Sequence, residues 1–336
     1  RGDRGRPLLP SQVASGSGSH YTAAYKIKMD LEQAYHIGET SRDAEVRQYF
    51  LGTVAPLYES VLSRIPALSS LREKTGGLYA FKPVDFEAGI ADVYNRAIHV
   101  PPFDEIEGGC LSSSFDAAAV QKAWRESEPH IAVIDNILSD VALGRVRELL
   151  QVETVWYQTK MPEKFGGYAG AYIDDGLHQR LLLALAFELH RALPEIMTGH
   201  DLQYLWAYKY DSDFTGINIH ADQAAVNVNL WITPEEANLN KDTGGLVIFT
   251  TKPPVGMDFA QYNADTERVV HEILEPTAVP GGGYANRTVP YKENRAVLFD
   301  SALFHHTDKF SFAGCYTRRR INLTILYGEM QVGAEA

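Results

Sequence analysis

The chain is poor in cysteine, contains no long apolar run and has fewer basic than acidic residues. Two cysteines among 336 residues, Cys110 and Cys315, predict neither a disulfide framework nor a cysteine-rich zinc module. No apolar run reaches the roughly 20 residues that cross a bilayer, and no signal-peptide core is visible, so we expect a cytoplasmic protein without a membrane span. Lys and Arg number 31 against 43 Asp and Glu, and the net charge of −12 makes nucleic acid a less expected partner.

The composition is that of a globular protein, and its character changes along the chain. Hydrophobic residues make up 45% of the sequence and charged residues 22%. Gly, Ser, Pro and Arg dominate residues 1–20, which we predict to be a flexible N-terminal segment. Residues 21–128 are predicted to form a mainly helical region that offers a surface for a protein partner. Residues 129–336 carry most of the strand signals and form the second predicted domain.

Local signals predict the bounds of several elements. Residues 131–134 are predicted to form a strand, and Ser139 can cap the helix that follows. Another helix is predicted over 178–193, because its leucines recur on one face, and Pro194 should end it. In the N-terminal region, Pro56 should kink or break the helical stretch in which it lies.

The most informative short motif is His220-Ala221-Asp222, in the extended stretch 216–222. Residues i and i+2 of a strand share a face, so the imidazole and the carboxylate can converge on one metal ion. A second histidine would complete the two-histidine, one-carboxylate site of non-haem iron oxygenases, which leaves positions open for a co-substrate and oxygen. The tripeptide alone is weak evidence, because His-x-Asp often arises by chance.

Three predicted strands, at 218–222, 226–232 and 319–327, alternate an apolar face with a polar one. Besides the candidate ligands, the polar faces carry Asn, Thr, Trp and one Arg, but no Lys or Glu. One explanation is a sheet with one face in water. The shortage of flexible charge favours a polar cavity instead, with the apolar face beneath helices. We therefore predict an α+β fold whose core is a double-stranded β-helix of the jelly-roll or cupin type, with supporting helices.

A third metal ligand should follow on a later strand, and the stretch 294–308 offers two histidines. His305 and His306 are adjacent, so on a strand their side chains point to opposite faces and only one would reach the metal. Strand geometry alone leaves both candidates open.

Arg320 lies on the polar face of the predicted strand 319–327. A buried arginine is costly without an anion, and a dicarboxylate co-substrate could supply one through a bidentate guanidinium–carboxylate pair. The alternative is a structural salt bridge with an acidic residue of the chain. We expect the neighbouring Arg318 and Arg319 to serve the surface or a loop.

The order of these motifs resembles the Fe(II)/2-oxoglutarate-dependent oxygenase superfamily, and in particular a group of its members often fused to tetratricopeptide repeats. The resemblance covers most of residues 130–329. It is carried by the segments 206–211 (WAYKYD), 220–222 (HAD), 226–234 (VNVNLWITP), 237–239 (ANL), 243–246 (TGGL), 303–305 (LFH) and 319–324 (RRINLT).

The resemblance implies a set of iron ligands. His305 follows Leu-Phe where that group has its single histidine, so the metal ligands and catalytic residues would be His220, Asp222 and His305. The carboxylate of Asp222 argues for hydroxylation, since related halogenases have a small residue at this position.

The resemblance also implies a co-substrate. Arg320 would hold the distal carboxylate of 2-oxoglutarate, Asn322 would contact the same molecule, and Tyr208 and Tyr210 match co-substrate positions on an earlier strand. The cofactors would be Fe(II), 2-oxoglutarate and O2, with ascorbate as a supporting reductant. The reaction would hydroxylate an unidentified substrate, either a small molecule or a protein side chain, and release succinate and CO2.

Three other functions stay open at this point. The chain could be a cupin-like metal enzyme that does not use 2-oxoglutarate, or a catalytically inactive scaffold whose N-terminal helices bind a partner. The oxygenase chemistry could also act on nucleic acid. The predicted substrate pocket is lined by Asn227, Asn229, Trp231 and the segment 251–290, which we expect to act as a lid.

Overall fold

The computed structural model of the protein describes residues 20–160, 166–252, 266–275 and 284–330. Within these ranges the protein combines helices with a large antiparallel sheet, which confirms the mixed class predicted from the sequence. The predicted flexible segment 1–20 lies outside the described residues except for its last residue, and so does much of the predicted lid at 251–290. None of the helices in the described ranges is both long and apolar enough to cross a membrane.

Helices dominate the chain up to residue 126, and two short strands pair antiparallel beside them. Helix α1 alone spans 17 residues and packs most extensively against α3. The bounds are β1 (Tyr21–Thr22), α1 (Ala24–Thr40), α2 (Ala44–Tyr49), α3 (Ala55–Arg64), α4 (Leu68–Thr75), β2 (Tyr79–Ala80), α5 (Pro83–Glu87), α6 (Ile90–Val93) and α7 (Ala117–Glu126).

The backbone stays helical between residues 44 and 64 although Pro56 lies within this stretch. Five residues, Phe50–Val54, form a π-helical turn between α2 and α3. Proline lacks an N–H group, and its ring crowds the carbonyl four residues earlier, so a wider turn immediately before it relieves both problems. Pro56 therefore lies in the first turn of α3, and the predicted alternative of a break in the stretch is wrong.

Two antiparallel sheets follow the N-terminal helices. The main sheet has seven strands in the order β3-β10-β7-β12-β6-β5-β4, and the smaller sheet has three in the order β11-β8-β9. The strands are β3 (Ile131–Ile134), β4 (Gln158–Thr159), β5 (Tyr168–Tyr172), β6 (Leu202–Tyr210), β7 (Val226–Trp231), β8 (Leu246–Phe249), β9 (Asn286–Val289), β10 (Arg295–Asp300), β11 (His305–Thr307) and β12 (Ile321–Tyr327). The helices among them are α8 (Asp140–Val152), α9 (Arg180–Ala192), α10 (Pro194–Met197) and α11 (Thr266–Val269).

The local signals near the start of the sheets are confirmed. Strand β3 has the predicted bounds, and the Ser139 hydroxyl accepts a hydrogen bond from the Ala142 N–H at 3.2 Å, which caps α8. Helix α9 ends at Ala192, and Pro194 begins the short helix α10. Proline suits the first turn of a helix because the N–H that it lacks would have no intrahelical partner there.

In the central strands β7 and β12, apolar side chains alternate with polar ones, and the apolar side chains pack beneath α8 and α9. Val228 and Leu230 of β7, together with Leu323 and Ile325 of β12, are almost fully buried in one cluster with the leucines of both helices. The side chains that alternate with them point the other way, towards the smaller sheet. Both faces of β7 and β12 are therefore covered, which excludes the alternative of a sheet with one face in water.

We expect Leu185→Ala to destabilise the fold by about 2–5 kcal/mol, the usual cost of truncating a fully buried leucine. Leu185 is completely buried on the α9 face that contacts the main sheet. Urea unfolding measures the change. Val141→Ala is the control, because Val141 is 63% exposed and its loss should change the free energy of unfolding by less than about 0.5 kcal/mol. An equal effect of the two substitutions would contradict this packing.

Candidate metal centre

The three predicted iron ligands meet at one point. One ligand atom from each of His220, Asp222 and His305 lies within 4.8 Å of the others. The Nε2 atoms of His220 and His305 lie 3.7 and 3.5 Å from the two carboxylate oxygens of Asp222. Two atoms bound to one ion at about 2.1 Å can be at most about 4.2 Å apart, so these distances fit a shared metal.

The segment that carries the His-x-Asp motif is extended but does not form the predicted strand at 218–222. Only His220 is in a β-bridge, and its partner is His305. Their backbones exchange two hydrogen bonds, of 3.0 and 2.8 Å, which hold the two imidazoles side by side with ring centroids 4.3 Å apart. The segment contacts β11 at two separate residues, through the His220 bridge and through a hydrogen bond of 3.1 Å from the Thr307 N–H to the Ile217 carbonyl. This interrupted pairing replaces the expected strand.

Strand β11 separates the two adjacent histidines. The His305 side chain is 3% exposed and faces Asp222. His306 points to the other side, where its ring packs against Phe249 at 5.6 Å and its Nδ1 contacts the Thr307 carbonyl. The structure thus brings His305 to the cluster and leaves His306 away from it.

Backbone carbonyls set the tautomers of both imidazoles. Nδ1 of His220 lies 2.8 Å from the Asn218 carbonyl, and Nδ1 of His305 lies 3.0 Å from the Leu303 carbonyl. A carbonyl only accepts hydrogen bonds, so each Nδ1 must donate, and each neutral ring then presents the lone pair of Nε2 to the cluster. Burial and the neighbouring His305 lower the pKa of His220 to about 4, which keeps this ring neutral at pH 7.

Asp222 is held as a carboxylate by its partners. Burial alone would raise its pKa, but the neighbouring His305 and His220 and the Asn227 amide outweigh that effect and lower the pKa below its ordinary value. The Asn227 amide also donates to one of the Asp222 oxygens at 2.7 Å. A charged carboxylate held in a fixed orientation is the state that binds a divalent metal.

Arg320 is the predicted anion anchor, and its guanidinium is buried among neutral groups of the described residues. Its guanidinium donates to the Gly244 carbonyl at 2.8 Å and the Gly245 carbonyl at 3.3 Å, and it contacts the Asn322 amide oxygen at 3.4 Å. It also lies 4.5 Å above the Tyr210 ring. In the described part of the chain, no carboxylate comes within 4.0 Å of its nitrogens, although the residue is only 2% exposed.

The Gly244-Gly245 pair allows this approach of the backbone to the guanidinium. Gly244 has a φ of +91°, a conformation that favours glycine. A Cβ atom on Gly245 would lie 1.9 Å from the Val289 carbonyl oxygen of β9. A larger residue at either position would therefore strain or shift the loop whose carbonyls contact Arg320.

One cavity of about 630 Å³ joins the metal cluster to Arg320. The predicted co-substrate contacts Asn322, Tyr208 and Tyr210 all line it. Tyr208 and Tyr210 have pKa values raised by burial, so both hydroxyls are neutral hydrogen-bonding groups at pH 7. The cavity size lies within the range of small-molecule sites, roughly 300–1,000 Å³.

The predicted substrate-pocket residues are only partly in the cavity. Asn229 lines it. Trp231 instead is fully buried in the apolar cluster between the sheets, where it stacks on Tyr291 at 5.5 Å. Asn227 lies behind the cavity as the partner of Asp222. The alternation of side chains along β7 predicts that all three lie on one face. It does not predict which part of that face the smaller sheet covers.

An aromatic wall of the cavity was not predicted. Tyr168 and Tyr172 of β5 stand beside Trp206 and Tyr208 of β6, with ring centroids 4.6 to 5.9 Å apart between neighbours. The hydroxyls of Tyr172 and Tyr208 are 2.6 Å apart. The alternation in residues 168–172, tyrosine at both ends with small residues between, is the signal that could have identified this wall.

Arg319 is buried, contrary to the prediction that it serves the surface or a loop. It is 5% exposed and pairs with Glu32 of α1 and with Asp211, which follows β6. Arg318 is exposed as predicted. The error arose because the partner of Arg319 lies 287 residues away in the sequence, so only the tertiary structure reveals it.

We expect His305→Ala to weaken Fe(II) binding by at least about 100-fold, because a ligand contributes more than the outer partners whose loss costs 10–100-fold. Anaerobic isothermal titration with Fe(II), or with Co(II) as a spectroscopic substitute, measures the affinity. His306→Ala is the matched control and should bind within about threefold of the unmodified protein. Stronger weakening by His306→Ala than by His305→Ala would reverse the assignment of the third ligand.

Asn227→Ala should weaken the same metal affinity by about tenfold, because it removes the hydrogen bond that orients Asp222. The titration that tests His305 measures this effect too. Asn229→Ala serves as the control, since Asn229 lies on the same face of β7 but contacts Thr324 and not a candidate ligand. Unchanged affinity in Asn227→Ala would show that Asp222 needs no such support.

The chain was also compared with known proteins. No protein family matches it by sequence, and no curated protein matches it either. Among solved structures it is similar to the non-haem alpha-ketoglutarate-dependent epimerase SnoN from nogalamycin biosynthesis, at 11% identity and a TM-score of 0.43, over 63% of this chain and 80% of that chain. It is also similar to a prolyl hydroxylase from Trichoplax adhaerens, at 15% identity and a TM-score of 0.40, over 63% and 89%. A third is an oxidoreductase of the 2OG-Fe(II) oxygenase family from Burkholderia pseudomallei, at 11% identity and a TM-score of 0.38, over 64% and 92%.

Proposed function

We propose that this protein is an Fe(II)- and 2-oxoglutarate-dependent dioxygenase that hydroxylates an unidentified substrate and releases succinate and CO2. The observation that carries the proposal is the pairing of two features in one cavity. A cluster of two imidazoles and one carboxylate lies in the same cavity as a buried arginine that has no described carboxylate partner. The first feature suits Fe(II), and the second suits the free end of a dicarboxylate.

We further propose that the two sheets are the walls of a double-stranded β-helix. From β7 to β12 the chain passes repeatedly between the main sheet and the smaller sheet. An apolar cluster that includes Trp231, Ile248 and Val297 fills the space between the sheets, beside the cavity. The polar side chains of β12 and the candidate metal ligands would then lie inside one barrel.

The donor set fits a resident Fe(II). The candidate ligands His220, Asp222 and His305 supply two nitrogens and one charged oxygen, and a metal bound by these three keeps other coordination positions open. When bound, the iron would supply activation of dioxygen coupled to oxidation of 2-oxoglutarate. Without the Asp222 carboxylate, the charge of the ion would be less well compensated in this buried place.

The remaining residues of the cavity would bind and orient the co-substrate. Arg320 presents a planar guanidinium that can pair with a carboxylate in bidentate fashion, and Asn322 lies beside it. The neutral hydroxyls of Tyr208 and Tyr210 can donate hydrogen bonds to the same molecule. The aromatic wall would limit the access of water and leave its outer part for a small molecule or a protein side chain as substrate.

Two alternatives account for fewer of these observations. A cupin-like metal enzyme without 2-oxoglutarate would leave the buried charge of Arg320 uncompensated. An inactive scaffold would not require the three metal-binding groups to be oriented by carbonyl and amide partners. The oxygenase proposal accounts for both the buried Arg320 and the oriented metal-binding groups. The net charge of −12 supports a substrate other than nucleic acid.

Anaerobic titration of the Fe(II)-loaded protein with 2-oxoglutarate tests the proposal, because the iron chelate of this keto acid has a visible charge-transfer band. We expect a saturable band in the unmodified protein. Arg320→Ala should weaken 2-oxoglutarate binding by at least about 30-fold, since it removes a buried charge-assisted pair that contributes about 2 kcal/mol or more.

Arg320→Lys is the matched variant for the Arg320 test. It keeps the positive charge but loses the planar fork, so its affinity should fall between those of Arg320→Ala and the unmodified protein. Absence of any band in the unmodified protein would refute the co-substrate assignment. A band that persists at unchanged 2-oxoglutarate affinity in Arg320→Ala would refute the role of this arginine.

A further inference from the structure

We propose that Glu32 of α1 is a positioning residue for the 2-oxoglutarate site and acts through Arg319 on the adjacent Arg320. The N-terminal helix would then tune the affinity for the distal carboxylate of the co-substrate without touching it. This inference rests on the proposed function, because it assigns a role to Glu32 only if Arg320 binds that carboxylate.

The contact between Glu32 and Arg319 is bidentate. Nε of Arg319 donates to Oε2 of Glu32 at 2.6 Å, and Nη2 donates to Oε1 at 2.8 Å. A third nitrogen, Nη1, donates to Asp211 at 3.1 Å. The guanidinium is therefore held on two edges, one by α1 and the other by the residue after β6. Bidentate pairs of this kind fix geometry as well as charge.

The backbone of the same short segment is held as firmly as the side chain. The Thr233 hydroxyl donates to the Arg319 carbonyl at 2.8 Å and accepts from the Ile321 N–H at 2.9 Å. The Tyr210 N–H donates to the Arg320 carbonyl at 3.0 Å. Three backbone groups around Arg320 thus have fixed partners at the point where β12 begins.

Adjacent residues of an extended strand project to opposite faces, and this links the two arginines. Arg319 points towards α1, whereas Arg320 lines the cavity. A rotation of the backbone that released Arg319 from Glu32 would turn Arg320 away from the Gly244 and Gly245 carbonyls. Glu32 itself is not among the cavity-lining residues, so its influence must pass through this backbone.

Charge balance favours the same role. A buried guanidinium without an anion is costly, and Arg319 is 5% exposed. If Glu32 lost its charge, Asp211 alone would compensate Arg319, and Asp211 is also 3.8 Å from the ammonium of Lys28. Arg319 would then gain by turning towards solvent or towards Asp211, and either movement displaces the start of β12.

The experiment compares the binding of two keto acids to the Fe(II)-loaded protein under anaerobic conditions. In Glu32→Gln we expect the dissociation constant of 2-oxoglutarate, read from the charge-transfer band, to rise by about tenfold, as when an outer partner is removed from a site. The dissociation constant of 2-oxobutyrate should not change, because this keto acid has no distal carboxylate for Arg320 to hold. The Fe(II) affinity should also be unchanged.

The matched control is Glu293→Gln. Glu293 forms a half-buried ion pair with Arg147 that resembles the Glu32–Arg319 pair but does not adjoin the cavity-lining arginine. It should leave the affinities for both keto acids unchanged. Glu32→Asp provides a second variant, which keeps the charge and shortens the side chain by one methylene. It should raise the dissociation constant of 2-oxoglutarate by less than Glu32→Gln does and leave that of 2-oxobutyrate unchanged.

The outcomes separate the two proposals. No band in the unmodified protein refutes the proposed function. A normal band, with equal 2-oxoglutarate affinity in Glu32→Gln and the unmodified protein, overturns the role of Glu32 and leaves the oxygenase proposal intact. An equal rise in the dissociation constants of 2-oxoglutarate and 2-oxobutyrate would also overturn the role of Glu32. General damage to the site would weaken the binding of both keto acids alike. If Glu32→Gln does not fold, Glu32→Asp decides by the same two comparisons.

Discussion

The structure depends on one constraint, which is that β7 and β12 are covered on both faces although their residues alternate between polar and apolar. The apolar side chains contact α8 and α9, and the polar side chains face the smaller sheet and the cavity. A buried polar face is stable only if its groups find partners. The amide N–H groups of Asn227 and Asn229 find them within the protein, in Asp222 and Thr324. Arg320, in contrast, has only neutral described partners, which supports its proposed role in binding an anion.

The face of the main sheet beneath the helices is not apolar throughout. Near α1, which contacts β5 and the turn before β12, this face carries buried charges. Lys209 points away from the cavity, between its neighbours Tyr208 and Tyr210, and its ammonium lies 4.2 Å from the Trp156 ring centroid and 2.9 Å from the Tyr316 hydroxyl. Burial lowers the pKa of Lys209 well below its ordinary value. The ion pairs of Arg319 lie in the same region, so α1 is joined to the sheet by directional contacts as well as by packing.

This arrangement gives the N-terminal helices a physical connection to the candidate site. Hydrophobic packing is non-directional, whereas a bidentate ion pair also fixes the relative orientation of its partners. Arg319 and Arg320 share one strand end but serve opposite faces. These two adjacent residues therefore join α1 to the sheet and present a cation to the cavity. Under the proposed function, the affinity for an anion would depend on how α1 is held.

The sequence by itself determined the composition of the site and much of the fold. Parity predicted which residues of β7 and β12 face the helices, because side chains alternate with a period of two in any strand. The Ser139 cap and the end of α9 before Pro194 are also local effects, since capping and the missing proline N–H act within one helical turn. The His-x-Asp spacing likewise placed two metal-binding groups together before any tertiary contact was known.

Contacts between distant segments decided the rest. The bridge between His220 and His305 joins residues 85 positions apart and orients His305, not His306, towards Asp222. The coverage of Trp231 by the smaller sheet, and the pairing of Arg319 with Glu32 across almost the whole chain, also depend on which surfaces meet. Alternation assigns a side chain to a face, but only packing determines whether that face meets a core, a cavity or a buried charge.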